Sequence, residues 1–218
     1  MLKHFKGMIL ERPGKVDLRT TEGSKAVKEA IEYVNKLKVS ATQPDLAWSN
    51  ELWKAARDHV MDHGPKSSTG HDGSDGSTPK QRVERYCNIL VTSGENIAYG
   101  KDNGFEILVQ LIVDDGVPSR GHRHNIFNPS WKVHGCYTGH HGTYNTMTVQ
   151  EFTGGIYPLG EENPVEKVMD SLMKEKVTFC PEDGAPEEHA GYSTSTKVKT
   201  EGNKITKTVT CTYNLKNG

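Results

Sequence analysis

A chain of 218 residues is long enough for one large domain, or a domain with an appendage, around a substantial buried core. Its 33% hydrophobic and 25% charged residues and mean hydropathy of -0.68 describe a polar globular chain, and 27 basic against 28 acidic side chains, a net charge of -1, give no electrostatic case for nucleic acid or an anionic membrane. No stretch approaches the roughly 18 apolar residues of a spanning helix, and Met1–Glu11 is too short for a signal peptide, so the chain reads as cytosolic or as a mature secreted chain with a start Met added.

The first element in chain order is a helix. From Ser24, expected as its N-cap, Val27, Ile31, Val34 and Leu37 recur at three- and four-residue spacings toward an end near Lys38. Pro44 then breaks the chain. A second helix is expected from Ser49, with Leu52, Trp53, Ala56 and Val60 inward and Gly64 at its C-cap. The Gly-, Ser- and Pro-rich stretch from Pro65 to Pro79 is a loop and carries His71. Pro79 opens a short helix through Arg85, and Phe105, Leu108, Val109 and Ile112 mark another to Val113.

After His122 the period changes. Trp131–Thr138 and Tyr144–Phe152 are rich in aromatic and β-branched residues and are expected to pair as a hairpin about His140–Thr143. Beyond Pro164 the pattern is mixed to Val177 and turn-rich from Cys180 to His189. Lys197–Thr200 and Lys204–Tyr213 then alternate about Glu201-Gly202-Asn203, a second hairpin. Helices followed by strands and a small β appendage give an α+β class. The four cysteines, Cys87, Cys136, Cys180 and Cys211, lack paired C-x-x-C spacing, which argues against structural zinc and leaves three possible disulfide pairings open.

Three Gly-flanked segments carry the chemistry: Gly70-His71-Asp72-Gly73, Gly94-Glu95-Asn96-Ile97-Ala98-Tyr99-Gly100, and Asp114-Asp115-Gly116 running on to Gly121-His122-Arg123-His124-Asn125-Ile126. Neutral imidazole and ionised carboxylate offer lone pairs at physiological pH, so such groups in one cleft can hold a divalent cation or move a proton. Glu95-Asn96-Ile97 within Gly94–Gly100, and Gly121-His122-Arg123-His124-Asn125-Ile126 followed by Pro129 and by Val133-His134-Gly135, resemble the two motifs of the CAP superfamily, also called the SCP domain. That family spans cysteine-rich secretory proteins, antigen 5 allergens and pathogenesis-related proteins, and this chain is most similar to its bacterial and protist branch. The resemblance covers roughly Ala26 to Tyr157.

The resemblance implies a three-layer α-β-α sandwich with a central antiparallel sheet. It divides the chain into an N-terminal extension (1–23), the CAP domain (24–157) and a C-terminal extension with its hairpin (158–218). It also implies a cleft with two histidines and two acids: His71 and His122 as the metal-ligating pair, Glu95 as one acid, and Asp115 nearest the place of the second, with Asp114 equally available. Zn²⁺ is the divalent cation expected there. Secretion, also implied, favours disulfides, with Cys180 to Cys211 and Cys87 to Cys136 as the expected pairs.

Each residue also has a plainer reading. Glu95, in a Gly-Glu-Asn-Ile turn, can hold a loop through backbone N–H groups; His122 and His71 can cap or pack. His59 and His63, at i and i+4, can chelate a metal on one helix face, but with no third ligand in view they are read as surface or capping residues. Arg120 and Arg123 are expected to fix the loop through carboxylates or carbonyls. Three functions remain open: a secreted protein binding a cation and a lipid, sterol or other small ligand; a metal-dependent hydrolase or peptidase using His71, Glu95, Asp115 and His122; or a monomeric scaffold for a host or cell-surface protein. No Ser or Cys nucleophile stands beside the motifs in a catalytic context, and the resemblance implies mostly non-enzymatic secreted proteins associated with sterol or lipid binding, cation-dependent binding, host interaction and defence, so binding is the favoured reading.

Overall fold

A 3-10 turn (Leu2–His4) and a small antiparallel meander, β1 (Phe5–Lys6), β2 (Ile9–Leu10) and β3 (Leu18–Arg19), open the chain in a computed structural model that describes residues 2–37, 45–174, 189–201 and 204–215. Helix α1 (Ser24–Lys36) buries Ala26, Val27 and Ala30. Its N-cap is Gly23 and not Ser24: the chain enters at φ +61, the left-handed region that glycine tolerates, and a Cβ there would lie 3.0 Å from the Gly7 carbonyl oxygen. After β4 (Ala47–Trp48), Ser49 caps helix α2 (Asn50–His63) by accepting from the amides of Glu51 and Leu52, and Gly64 is the C-cap.

The buried stripe of α2 is Leu52, Ala55, Ala56, His59, Val60 and His63, all at three- and four-residue spacings. The two histidines are therefore core residues, correcting the surface reading. Thr78 and Gln81 form a capping box at α3 (Pro79–Val83). Short strand β5 (Asn88–Ile89), strand β6 (Ser93–Tyr99), helices α4 (Gly104–Val113) and α5 (Gly121–Ile126), and strands β7 (Val133–His141), β8 (Asn145–Thr153) and β9 (Ile156–Tyr157) complete the unit Met1–Gly160. The Gly94–Gly100 segment thus lies almost wholly in a strand rather than a turn.

The central sheet runs β4-β7-β8-β6, antiparallel except where the two residues of β4 pair parallel with β7. Its two faces are covered differently. Ile97, Met147 and Val149 pack with Ala56 and Val60 of α2, and at Gly135 a Cβ would lie 2.4 Å from the Trp53 amide nitrogen, so β7 runs against that helix. On the other face Ala98 packs with Ile107 and Leu111 of α4. Helices on both sides of one sheet make the α-β-α sandwich.

The same alternation separates Cys87 from Cys136. Cys87 packs with Leu52, Ala55 and Val83 on the α2 side, whereas Cys136 follows Gly135 and so takes the opposite face. Both are free thiols, which corrects the expected Cys87 to Cys136 pair. Burial pushes the Cys87 thiol up to about 11 and raises Cys136 as well, so neither is a ready nucleophile.

The second unit, Glu161–Gly218, contains helix α6 (Pro164–Lys174) and a hairpin of β10 (His189–Glu201) and β11 (Lys204–Leu215), in register from Tyr192 opposite Tyr213 to Glu201 opposite Lys204. Both strands exceed the lengths expected from alternation. Cys180, and with it the expected bond to Cys211, lies outside the described residues.

Candidate functional site

His71 is carried by the loop between α2 and α3, which side chains pin from below. The Gly70 amide donates to the Tyr99 hydroxyl at 3.2 Å, and the Gly70 carbonyl accepts from His59 Nε2 at 2.8 Å. Asp62 takes the Ser74 amide (2.7 Å) and hydroxyl (2.6 Å), and Arg82 Nη1 donates to the Ser77 carbonyl at 3.0 Å. So held, the half-exposed His71 ring turns Nδ1 to Glu95 Oε1 at 2.6 Å.

Glu95 is buried on edge strand β6, and its other oxygen accepts from Nη2 of the equally buried Arg82 at 2.6 Å. The register sets Glu151 of β8 directly opposite. Burial works against a charge on Glu95, but the hydrogen bond from His71 and the field of Arg82 outweigh it and hold this carboxyl below the usual range. Glu151 goes the other way: burial, then the charge of Glu95 and the interaction between the two carboxyls, push it well above that range. The bond to Glu95 raises the His71 imidazole against the effect of burial.

His122 is mounted differently. It lies in the first turn of α5, with Nδ1 2.7 Å from Asp114 Oδ1 and its amide donating to Asp114 Oδ2 at 3.0 Å. Asp114 is buried as the left-handed C-cap of α4 at φ 56. Arg120, itself left-handed at φ 53, donates to the Asp114 carbonyl at 2.8 Å and pairs with Glu22 and Glu29 at 2.6 Å. Arg123 donates to the Ile112 and Val113 carbonyls, so both arginines fix the loop. Asn96 Nδ2 donates to the His122 carbonyl at 3.3 Å. Edge strand β6 therefore contacts both histidine segments, through Glu95 on one face and Asn96 on the other.

Of the sequence-predicted residues, the structure joins His71 to Glu95 and His122 to Asp114. Asp115 is not the acid beside His122; its carboxylate accepts from the amides of Thr21 at 2.7 Å and Glu22 at 2.8 Å, tying down the approach to α1. The left-handed turn at Asp114 aims the first carboxylate at α5 and sends the second elsewhere. Sequence reasoning missed Arg82 and Glu151. A single carboxylate in the β-branched and aromatic run of β8 was the available signal for Glu151; Arg82, on a five-residue helix, gave none.

Among the described residues, the group of three or more His, Cys, Asp or Glu whose donor atoms all lie within 4.8 Å of one another is His59, Asp62 and His63. This group is able to hold a metal ion. Between α1 and α4 runs an apolar groove of about 310 Å³ lined by Val27, Ala30, Ile31, Val34, Val109 and Ile112. No helix among the described residues is long and apolar enough to cross a membrane.

The sequence model of the cysteine-rich secretory protein family, CAP, matches residues 31–152. A search of curated proteins gives no match. Among solved structures, an extracellular protein containing an SCP domain from Bacillus anthracis str. Ames is 24% identical with a TM-score of 0.42, covering 58% of this chain and 39% of its own. An outer surface protein of Borrelia burgdorferi is 21% identical with a TM-score of 0.42, covering 60% of this chain and 93% of its own.

Proposed function

This chain belongs to the cysteine-rich secretory protein family, and from that premise we propose that it is an extracellular binding protein whose cleft takes a divalent cation through His71 and His122 and whose body carries a lipid, a sterol or another apolar small ligand. One observation carries the cation reading. Both imidazoles have Nδ1 tied to a carboxylate, Glu95 at 2.6 Å and Asp114 at 2.7 Å, which fixes the tautomer and leaves Nε2 as the outward donor. Metal-ligating histidines are supported in this way by an acid behind them. In this reading Glu95 and Asp114 orient the rings and do not ligate. Zn²⁺ suits two imidazole donors and would supply a Lewis-acidic centre for a ligand's polar head.

Support for the apolar ligand comes from the groove between α1 and α4, where Ile31 and Val34 remain exposed. Calorimetry with Zn²⁺ tests the cation: His71→Ala and His122→Ala should each remove one equivalent bound by the unaltered protein. Unchanged stoichiometry and affinity in both variants would overturn the assignment.

A further inference from the structure

We propose that the C-terminal end of α2 is a second metal site, built from His59, Asp62 and His63 and separate from the His71 and His122 pair. The spacing makes it possible: residues 59, 62 and 63 fall within about one turn of a helix and so project to one side. Each offers a donor atom, and the three lie within 4.8 Å of one another, with the His59 and His63 ring centroids 4.2 Å apart.

A second observation points to a ligand. His59 and His63 are 0% and 4% exposed, yet Nδ1 of each has no hydrogen-bond partner. Buried polar nitrogens are ordinarily paired. The tautomer of His59 is fixed, since Nε2 must donate to the Gly70 carbonyl, and the lone pair is left on Nδ1. That is the arrangement of a ligating imidazole with a carbonyl behind it. Burial lowers the affinity of His59 for a proton. Asp62 is ionised: burial opposes the charge, but the hydrogen bonds from Lys66 and Ser74 outweigh it.

Two imidazoles and a carboxylate, with water completing the shell, form a donor set for Zn²⁺. The competing cation is Lys66, whose ammonium lies on Asp62 at the surface on a flexible stem and can move aside. Loading this site would stiffen the loop that carries His71, because His59 holds it at Gly70 and Asp62 holds it at Ser74. The site is a structural clamp beneath that loop.

The test uses the whole chain and Zn²⁺ alone. The His71→Ala/His122→Ala protein should still bind one equivalent and gain thermal stability from it, and adding His63→Gln should abolish both effects. If the double variant binds no Zn²⁺, or the triple variant binds it undiminished, the α2 site is refuted, whatever the fate of the cleft assignment. Should the triple variant fail to fold, nitrogen NMR of the double variant decides: the ring nitrogens of His59 and His63 must shift on adding Zn²⁺, and unmoved resonances overturn the proposal.

Discussion

His71 and His122 each turn Nδ1 toward a carboxylate at nearly the same distance, but the two carboxylates are held by different chemistry. Glu95 rests among side chains: Arg82 on one oxygen, His71 on the other, and Glu151 across the ladder. Asp114 rests on backbone, its Oδ2 accepting from the His122 amide. A mount made of backbone moves only if α4 or α5 moves, whereas one made of buried charges fails when any member is removed, because the others stay behind uncompensated. The His71 half should therefore be the fragile half of the site.

The largest expected effect tests that contrast directly. Arg82→Met leaves Glu95 buried with its main counter-charge gone, and breaking one partner of such a pair costs about 3–5 kcal/mol. Urea denaturation should register that loss, and the Arg82→Met protein should also weaken the one cation equivalent that His71 and His122 share, because the His71 ring loses the fixed Glu95 carboxylate behind it. A cost below about 1 kcal/mol, the level of an exposed ion pair, would break the comparison.

How far the sequence reached follows the same division. His71, Glu95 and His122 were legible because they stand in Gly-bounded motifs, and α2 and α4 because each buries one stripe. Strand β6 was not read as a strand, and Glu151 was not singled out, because a sheet covered by helices on both faces loses polar alternation: β8 is buried continuously from Met147 to Thr153. Arg82 became meaningful only when β6 set Glu95 opposite α3. His59 and His63 were assigned outward because periodicity reports which stripe is buried but not that imidazole can occupy it. Asp114 and Asp115 could not be ranked, since a single left-handed residue decides which carboxylate faces His122.

A smaller effect, of opposite sign, sharpens the account of the fragile half. Glu151 is held neutral in the folded protein, its carboxyl raised well above the usual range by burial and by Glu95. For a raised group, stability is fully present below the unfolded value and is lost as pH rises through the folded value. From about pH 4.5 upward the unfolded chain ionises Glu151 while the folded chain does not, and the native state loses ground. Glu151→Gln removes that penalty. It should stabilise the protein at pH 7 by about 1 kcal/mol, a typical single-residue effect, and by less at pH 4.5. Urea midpoints at the two pH values measure this; an equal gain at both would mean that ionisation is not the cause.

The smallest effect separates the two neighbouring aspartates. Asp115 accepts from the amides of Thr21 and Glu22 and makes no contact with His122, so Asp115→Asn keeps one carbonyl oxygen for those donors and should cost about 1 kcal/mol, the net worth of a hydrogen bond. Zn²⁺ affinity should not change, because Asp115 reaches the His122 mount only through the backbone of Glu22, while the carboxylate that meets the ring is that of Asp114. Asp114→Asn is the counterpart. Its amide can still accept from the His122 backbone through oxygen, but the ring nitrogen then loses the charge that orients it, and loss of such a supporting acid lowers metal affinity about 10–100-fold. Calorimetry on the two variants side by side makes the distinction: an equal loss in both would mean that the loop as a whole, and not the carboxylate of Asp114, holds His122 in place.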